Sequence, residues 1–547
     1  MFLVAAAVSI FILSPLLIVV WKSFQVEYGL RPAVYSLKNY SLLVSPRTIA
    51  AIVNSIIIAA GSAPLAGLMG VTLAWIVART NTPLRGVFET WNLVPFFTSP
   101  LLGAIAWSYL GSPQIGLLNK AFMAAFHLSE PPINIYSYGG IIWVLGLFHT
   151  PFVYLFCIGT LRQMDPSLEQ AARVCGSNEA TTLLRITLPL ASPAILSSLI
   201  LVFVLGIEEL GTTLVLGYPH GIQTISIQIY ETTERYPPNY NFGAALGILL
   251  VFITGAGILL QRHILASRSF TTVTGKGYRP QQLDLGRTRY VTLAVNLLYL
   301  TVAVALPIGT LVAVSFSRAW LGYLDPTQFS TQYFVYLATR NPIAIRGIRN
   351  SLILAIAGAT LAMTIATVIA YIIHRTKSRA RSWLDVVTTL PIGIPGLVLA
   401  IGLFVALIRT PLYGTLWILL LGYTIRFFTY GQRTISAVLV SVSVELEEAS
   451  QTSGANWSTT MRRILLPLMR PGVVAGWLLL FITFMREVSM SLLLSRSGTE
   501  TLSAALYSLL LYDPVGAAAA FTLVQVIMIL AAAVLFLRIS DKENIKI

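Results

Sequence analysis

About twelve times along its 547 residues the chain runs for roughly 18 to 25 residues with scarcely a charge, the length an α-helix needs to cross a bilayer. The expected spans lie near 2–21, 51–78, 91–110, 139–160, 191–216 and 242–261. A second set lies near 290–315, 350–373, 384–408, 411–432, 471–494 and 514–537. With 56% hydrophobic and only 10% charged residues, no soluble core could hide that much apolar surface. The expectation is an all-α polytopic membrane protein. The retained helix at 2–21 has no basic residue ahead of it and no small-residue cleavage site, so it does not read as a signal peptide. A net charge of +15 raises the question of nucleic acid, but there is no basic run interleaved with aromatics, and no nucleic-acid partner is expected. Two cysteines, Cys157 and Cys175, are too few for a disulfide framework and read as free thiols.

The chain is also written twice. Glu169 to Pro189, EQAARVCGSNEATTLLRITLP, returns at offset 278 as Glu447 to Pro467, EEASQTSGANWSTTMRRILLP. Asn54-Ser55 and Asn350-Ser351 open corresponding helices, and Ala78-Arg79-Thr80 and His374-Arg375-Thr376 close them at offset 296. The first half therefore carries extra residues in between, best placed in the proline-bearing loop from Gly111 to Tyr138. Duplication predicts two domains, 1–262 and 290–547, joined by a polar, basic linker over 263–289. Each polar island, within loops 161–190 and 438–470, reads as a short helix, a glycine able to take a left-handed backbone, and a second short helix ended by proline. Exposed to water, that is a compact knob.

Loop charges place the knobs in the cytosol. With the knobs inside, about 22 Lys and Arg fall on the cytosolic face, among them Arg79, Arg162, Arg173, Arg375, Arg462 and Arg463, against about 12 on the other. Both termini of this multi-pass protein are then expected inside.

The islands resemble the EAA loop of the membrane subunits of type I ABC importers, whose pattern is E-A-A, three residues, G, nine residues, I-x-L-P. Glu169, Ala171, Ala172, Gly176, Ile186 and Pro189 carry the first copy; Glu447, Glu448, Ala449, Gly454, Ile464 and Pro467 carry the second, with Ser450 in place of the second alanine. Serine is small, so the helix is expected to survive. Arg486-Glu487-Val488-Ser489-Met490-Ser491-Leu492-Leu493-Leu494, with Thr501-Leu502 and Tyr507, resembles segments of the ferric-iron type permeases, in which both halves are one polypeptide. Thr224-Ile225 with Tyr230 resembles the same pattern loosely. The resemblance implies two homologous six-helix permease domains and no catalytic residue, metal site or cofactor in this chain. It also implies partners: two copies of an ABC ATPase subunit that bind ATP and Mg and receive the knobs, and one solute-binding protein outside. Glu169 and Glu447 would contact the ATPase groove, and Gly176 and Gly454 would shape the turns. Ferric iron is the expected substrate, with thiamine or aminoethylphosphonate as alternatives.

No phosphate loop is present, since Gly275-Lys276-Gly277 lacks a following hydroxyl residue, and no H-E-x-x-H or nucleophile constellation appears. The conspicuous charges are Glu208 and Glu209 in the fifth span and Arg486 and Glu487 in the eleventh. Charges inside spans cost roughly 2.5 to 3.5 kcal/mol each, so they face a partner or a wet path. Offset 278 superimposes Glu209 on Glu487, which makes these four candidates for the translocation pathway. The bland reading has Arg486 pairing with a glutamate to pin the structure. His149 and Arg426 are assigned to packing or snorkelling. A secondary transporter is the rival class, and it needs no paired cytosolic knobs; an assembly protein would show no flux.

Overall fold

The structure is a computed structural model describing residues 2–26, 34–165, 167–267, 283–323, 325–376 and 381–544. The middle of the expected linker, 268–282, lies outside the described residues. Apart from a two-residue antiparallel ribbon, Gln25 opposite Tyr35 and Val26 opposite Val34, and two isolated bridges, the described chain is helix and loop.

The first repeat supplies α1 (Phe2–Ser23), α2 (Pro46–Arg79), α3 (Arg85–Phe97), α4 (Pro100–Gly111), α5 (Tyr138–Gln163), α6 (Ser167–Val174), α7 (Glu179–Thr182), α8 (Leu188–Glu208), α9 (Ile225–Glu234) and α10 (Tyr240–Ser267). The second supplies α11 (Gly286–Phe316), α12 (Pro342–Arg375), α13 (Arg381–Gly393), α14 (Gly396–Leu407), α15 (Leu416–Ser441), α16 (Glu445–Thr452), α17 (Trp457–Thr460), α18 (Leu466–Met485), α19 (Ser489–Leu494), α20 (Leu502–Tyr512) and α21 (Val515–Asn544). Their starts follow ordinary capping chemistry. Asn341 accepts from the Ala344 N–H at 2.9 Å with Pro342 in the first turn of α12, and Ser137 accepts from Gly140 N–H at the head of α5.

Among the described residues nine helices are long and apolar enough to span a membrane, or eleven if two bent pairs each count as one. The twelfth expected span is α15, long enough at 26 residues but made more polar by Arg426, Gln432 and Arg433.

Two expectations of continuous helix are corrected. The spans near 91–110 and 384–408 are broken: α3 and α4 meet at 93°, and α13 and α14 at 105°. Prolines explain both breaks, Pro95 and Pro100 in the first and Pro391 and Pro395 in the second, because each removes a ladder donor and clashes with the preceding turn. Likewise the spans near 191–216 and 471–494 do not run through. α8 stops at Glu208 and α18 at Met485, and short helical segments follow.

The chain packs as two compact units, one of residues 1–45, 228–251 and 332–547, the other of residues 46–227 and 252–331. These are not the sequence halves, because the first helix of each repeat packs on the core of the other. In the first unit α1 lies against α13 and α14, with Trp383 Nε1 donating to Ser9 Oγ at 2.9 Å. In the second unit α11 lies against α4; Tyr299 donates its hydroxyl to the Leu147 carbonyl at 3.3 Å, and Asn92 Nδ2 donates to Asn296 Oδ1 at 3.1 Å. Between apolar helices in lipid, close approach of backbones rather than water exclusion drives association, so small residues mark the contacts.

Gly402 on α14 is one such place: a Cβ there would stand 2.3 Å from the Pro15 carbonyl oxygen of α1. Gly402→Ala is therefore expected to push α1 off its seat at a cost of about 1–3 kcal/mol. The reading is a lowered unfolding temperature in detergent, and an unchanged one would mean that α1 does not sit there.

Candidate functional site

The two knobs fold alike. In the first, α6 ends with the Gly176 N–H donating to the Arg173 carbonyl and the Ser177 N–H reaching back to the Ala172 carbonyl, each at 2.9 Å. In the second, Gly454 N–H donates to Gln451 and Ala455 N–H to Ser450, at 3.0 and 3.1 Å. This double closure requires a left-handed residue after the helix, and Gly176 and Gly454 have φ of +85° and +82°. Asn178 and Asn456 then cap the next short helix, each accepting from the N–H three residues on, at 2.8 and 2.9 Å. The proline does not end that second helix, as expected, but opens the spanning one. A wide five-residue turn, Leu183–Thr187 or Met461–Leu465, carries the chain on, and Pro189 and Pro467 sit in the first turn of α8 and α18, where a missing N–H costs nothing. Ser450 leaves α16 intact and shares a 2.8 Å hydrogen bond with Thr460.

Each knob is clamped to the bundle by an arginine at the end of a spanning helix. In the second unit, Glu169 is buried at 8% exposure. One carboxylate oxygen accepts from the Thr187 hydroxyl at 2.7 Å and stands 3.4 Å from Arg79 Nη2, and that nitrogen also donates to the Met164 carbonyl at the end of α5. In the first unit, Glu447 is buried at 7%, its Oε1 2.8 Å from Arg375 Nε in an ion pair too oblique for a hydrogen bond. Arg375 Nη2 donates to the carbonyls of Leu439 and Val442 at the end of α15. Tyr371 donates to the other oxygen of Glu447 at 3.4 Å and accepts from Trp457 Nε1 at 2.9 Å. A cation bonded to the last carbonyls of one helix and the carboxylate of the next ties three elements together.

Glu169 and Glu447 thus reach inward to Arg79 and Arg375. The neighbouring Gln170 and Glu448 are exposed, as are Ala171, Ala449, Pro189 and Pro467; Ala172, Ile186 and Ile464 are half-buried.

The glutamates beyond the knobs have a structural use that sequence reading did not assign. Glu487 is 6% exposed, and its two oxygens accept from the N–H groups of Met490 and Ser491 at 2.8 Å each, capping α19 where the span breaks. Glu209 does the same in weaker form, accepting from Thr212 N–H at 3.2 Å. Glu208, Glu209 and Arg486 are half-buried. A cation standing beside Glu487 is Arg426 of α15, 3.7 Å away. Arg426 finds room because α14 opens with a glycine, and a Cβ on Gly396 would fall 1.4 Å from its Nη1.

Residues 62–268 and 362–543 match the family described as the binding-protein-dependent transport system inner membrane component, one knob in each match. The chain belongs to that family. Among relatives of this transport component, the ferric transport system permease protein of Actinobacillus pleuropneumoniae is 24% identical over 482 residues, 86% of this chain and 69% of that one. An Fe(3+)-transport system permease protein of Haemophilus influenzae is 25% identical over 395 residues, 71% of this chain and 74% of that one. The spermidine/putrescine transport system permease protein PotC of Escherichia coli is 27% identical over 242 residues, covering 44% of this chain but 91% of its own.

In this transport component four of the residues whose roles sequence reading missed carried a signal. Asn178 and Asn456 recur at offset 278, and Arg79 and Arg375 at offset 296. A repeated polar residue at a helix end points to a cap or clamp. Arg426 had no such signal, because its partner is remote in sequence.

Proposed function

We propose that this chain is the membrane subunit of an ATP-driven importer, that two copies of a separate ATPase subunit each take one knob into a surface groove, and that its cargo is ferric iron delivered by a solute-binding protein. The observation that carries the reading is the doubled knob, clamped by Arg79 or Arg375 onto the ends of spanning helices, so that a push on the knob moves the bundle. The knobs offer exposed apolar side chains to such a groove, Val174 at 88% and Trp457 at 58%, beside Gln170 and Glu448. ATP and Mg are bound by the partner, and hydrolysis takes place there. Closure of the ATPase dimer moves the knobs and rigid helices convert this into alternating access. Both termini lie with the knobs in the cytosol. The ferric cargo rests on the relatives that bear that name and cover most of both chains. The spermidine/putrescine relative matches less than half of this chain.

The test is reconstitution in proteoliposomes with the ATPase and binding protein. ATP-dependent, vanadate-sensitive uptake of radiolabelled ferric iron is expected. Uptake driven by an ion gradient and indifferent to vanadate would replace this reading with a secondary transporter, and vanadate-sensitive uptake of aminoethylphosphonate, thiamine or polyamine in place of iron would overturn the cargo alone.

A further inference from the structure

On the face opposite the knobs, α9 and α20 are the same element of the two repeats. Thr224-Ile225 with Tyr230 and Thr501-Leu502 with Tyr507 stand at offset 277, and both helices are anchored the same way. In one unit the Ile225 N–H donates to Ser55 Oγ at 3.0 Å and Asn54 Nδ2 donates to the Gln223 carbonyl at 2.8 Å. In the other the Leu502 N–H donates to Ser351 Oγ at 2.8 Å and Asn350 Nδ2 donates to the Glu500 carbonyl at 2.9 Å. Tyr230 and Tyr507 are therefore repeat-mates by structure as well as by spacing.

They also touch. Their ring centroids are 6.3 Å apart at an interplanar angle of 86°, an edge-to-face contact that leaves no room for water between the rings. A residue can meet its own mate only where equivalent surfaces of the two repeats face each other, as at the centre of an isologous interface. In a permease built of two repeats around one path, that centre is the path.

A second contact stands beside it without a symmetric copy. Arg496, in the loop before α20, places Nη1 3.6 Å from Glu234 Oε1 at the end of α9. Its Nε donates to the Tyr413 hydroxyl at 3.0 Å, and its guanidinium lies over the rings of Phe404 and Tyr413. Tyr240 packs on Phe404 in turn, with centroids 4.6 Å apart. The repeat-mates of Glu234 and Arg496 at offset 277 are Leu511 and Pro219, which cannot form an ion pair. We propose that Tyr230 and Tyr507 close the translocation path on the face opposite the knobs, and that the Glu234–Arg496 pair is a one-sided latch holding that closure. The proposal rests on the importer reading above.

The test uses the full transporter with its ATPase and binding protein in proteoliposomes, in a Cys175→Ser background, because Cys175 is the exposed free thiol and Cys157 is buried. With Tyr230→Cys and Tyr507→Cys together, a short bis-methanethiosulfonate should join the two thiols when ATP is absent. Uptake of radiolabelled ferric iron should then fall roughly tenfold or more and return on reduction, and the reagent should cause no such reversible loss in either single variant. Full uptake through the joined pair would overturn the closure, as would two thiols that each react with a monofunctional reagent and never join. Should the double variant not insert, Glu234→Gln reads the latch alone. Loosening it should raise ATP hydrolysis in the absence of binding protein severalfold, and an unchanged basal rate would remove the latch. Absence of ATP-driven uptake in the unmodified complex is a separate outcome, which strikes the importer reading and not the tyrosine contact.

Discussion

Arg375→Ala is expected to abolish ATP-driven uptake while the chain still inserts in the membrane. The Arg375 side chain is 6% exposed and that of Glu447 9%, so removing the arginine leaves a buried carboxylate with only the long 3.4 Å bond from Tyr371 and strands the carbonyls of Leu439 and Val442. Breaking a buried pair by deleting one partner costs about 3–5 kcal/mol. That cost falls on the seating of α16, because Arg375 is what joins the knob helix to the ends of α12 and α15. Arg79→Ala is expected to do less harm, since Glu169 keeps the Thr187 hydroxyl at 2.7 Å. Arg375→Lys should recover part of the loss, because a lysine restores the charge without the fork that reaches the carbonyls and the carboxylate together. The measurement is uptake alongside the amount of ATPase subunit that co-purifies. Wild-type uptake in Arg375→Ala would show that the clamp transmits nothing.

The second large effect is expected from Glu487→Ala. It removes both acceptors for the Met490 and Ser491 N–H groups and the carboxylate facing Arg426. A lost cap costs about 1 kcal/mol, and loss of the carboxylate 3.7 Å from Arg426 in a largely buried setting adds to it, with about 3–5 kcal/mol as the ceiling for a broken buried pair. The unfolding temperature of the purified chain should drop sharply, and Glu487→Gln should fall between, retaining one acceptor oxygen but no charge. Glu209→Ala should be milder, in line with its longer bond to Thr212. A Glu487→Ala protein of normal stability would refute its role as a cap.

Those two glutamates show where reasoning from sequence stops. Their repeat at offset 278 and their place within apolar spans were plain, and the general cost of an intramembrane charge required some compensation. What compensates could not be read. The helix breaks at each glutamate, and the freed backbone N–H groups take the carboxylate. For Glu487, an arginine sixty-one residues earlier in the chain, assigned to packing, supplies the counter-charge. The knob glutamates followed the same course. Their motif was unmistakable, yet their side chains turn inward to Arg79 and Arg375, which the sequence marks as repeat-mates and as cytosolic charge but not as their partners.

Apolar run length, the doubled polar islands and the scarcity of charge were enough to determine a two-repeat helical membrane protein, because a bilayer admits few backbone arrangements and every span must satisfy its own hydrogen bonds. The glycines of the knobs were legible for the same local reason, a positive φ that other residues resist. Only the tertiary structure decided that α1 and α11 pack on the opposite repeat, that the third and ninth spans bend near a right angle, and which cation serves which carboxylate. Those outcomes depend on contacts between residues far apart in the chain, where many pairings share the same local chemistry and packing selects one.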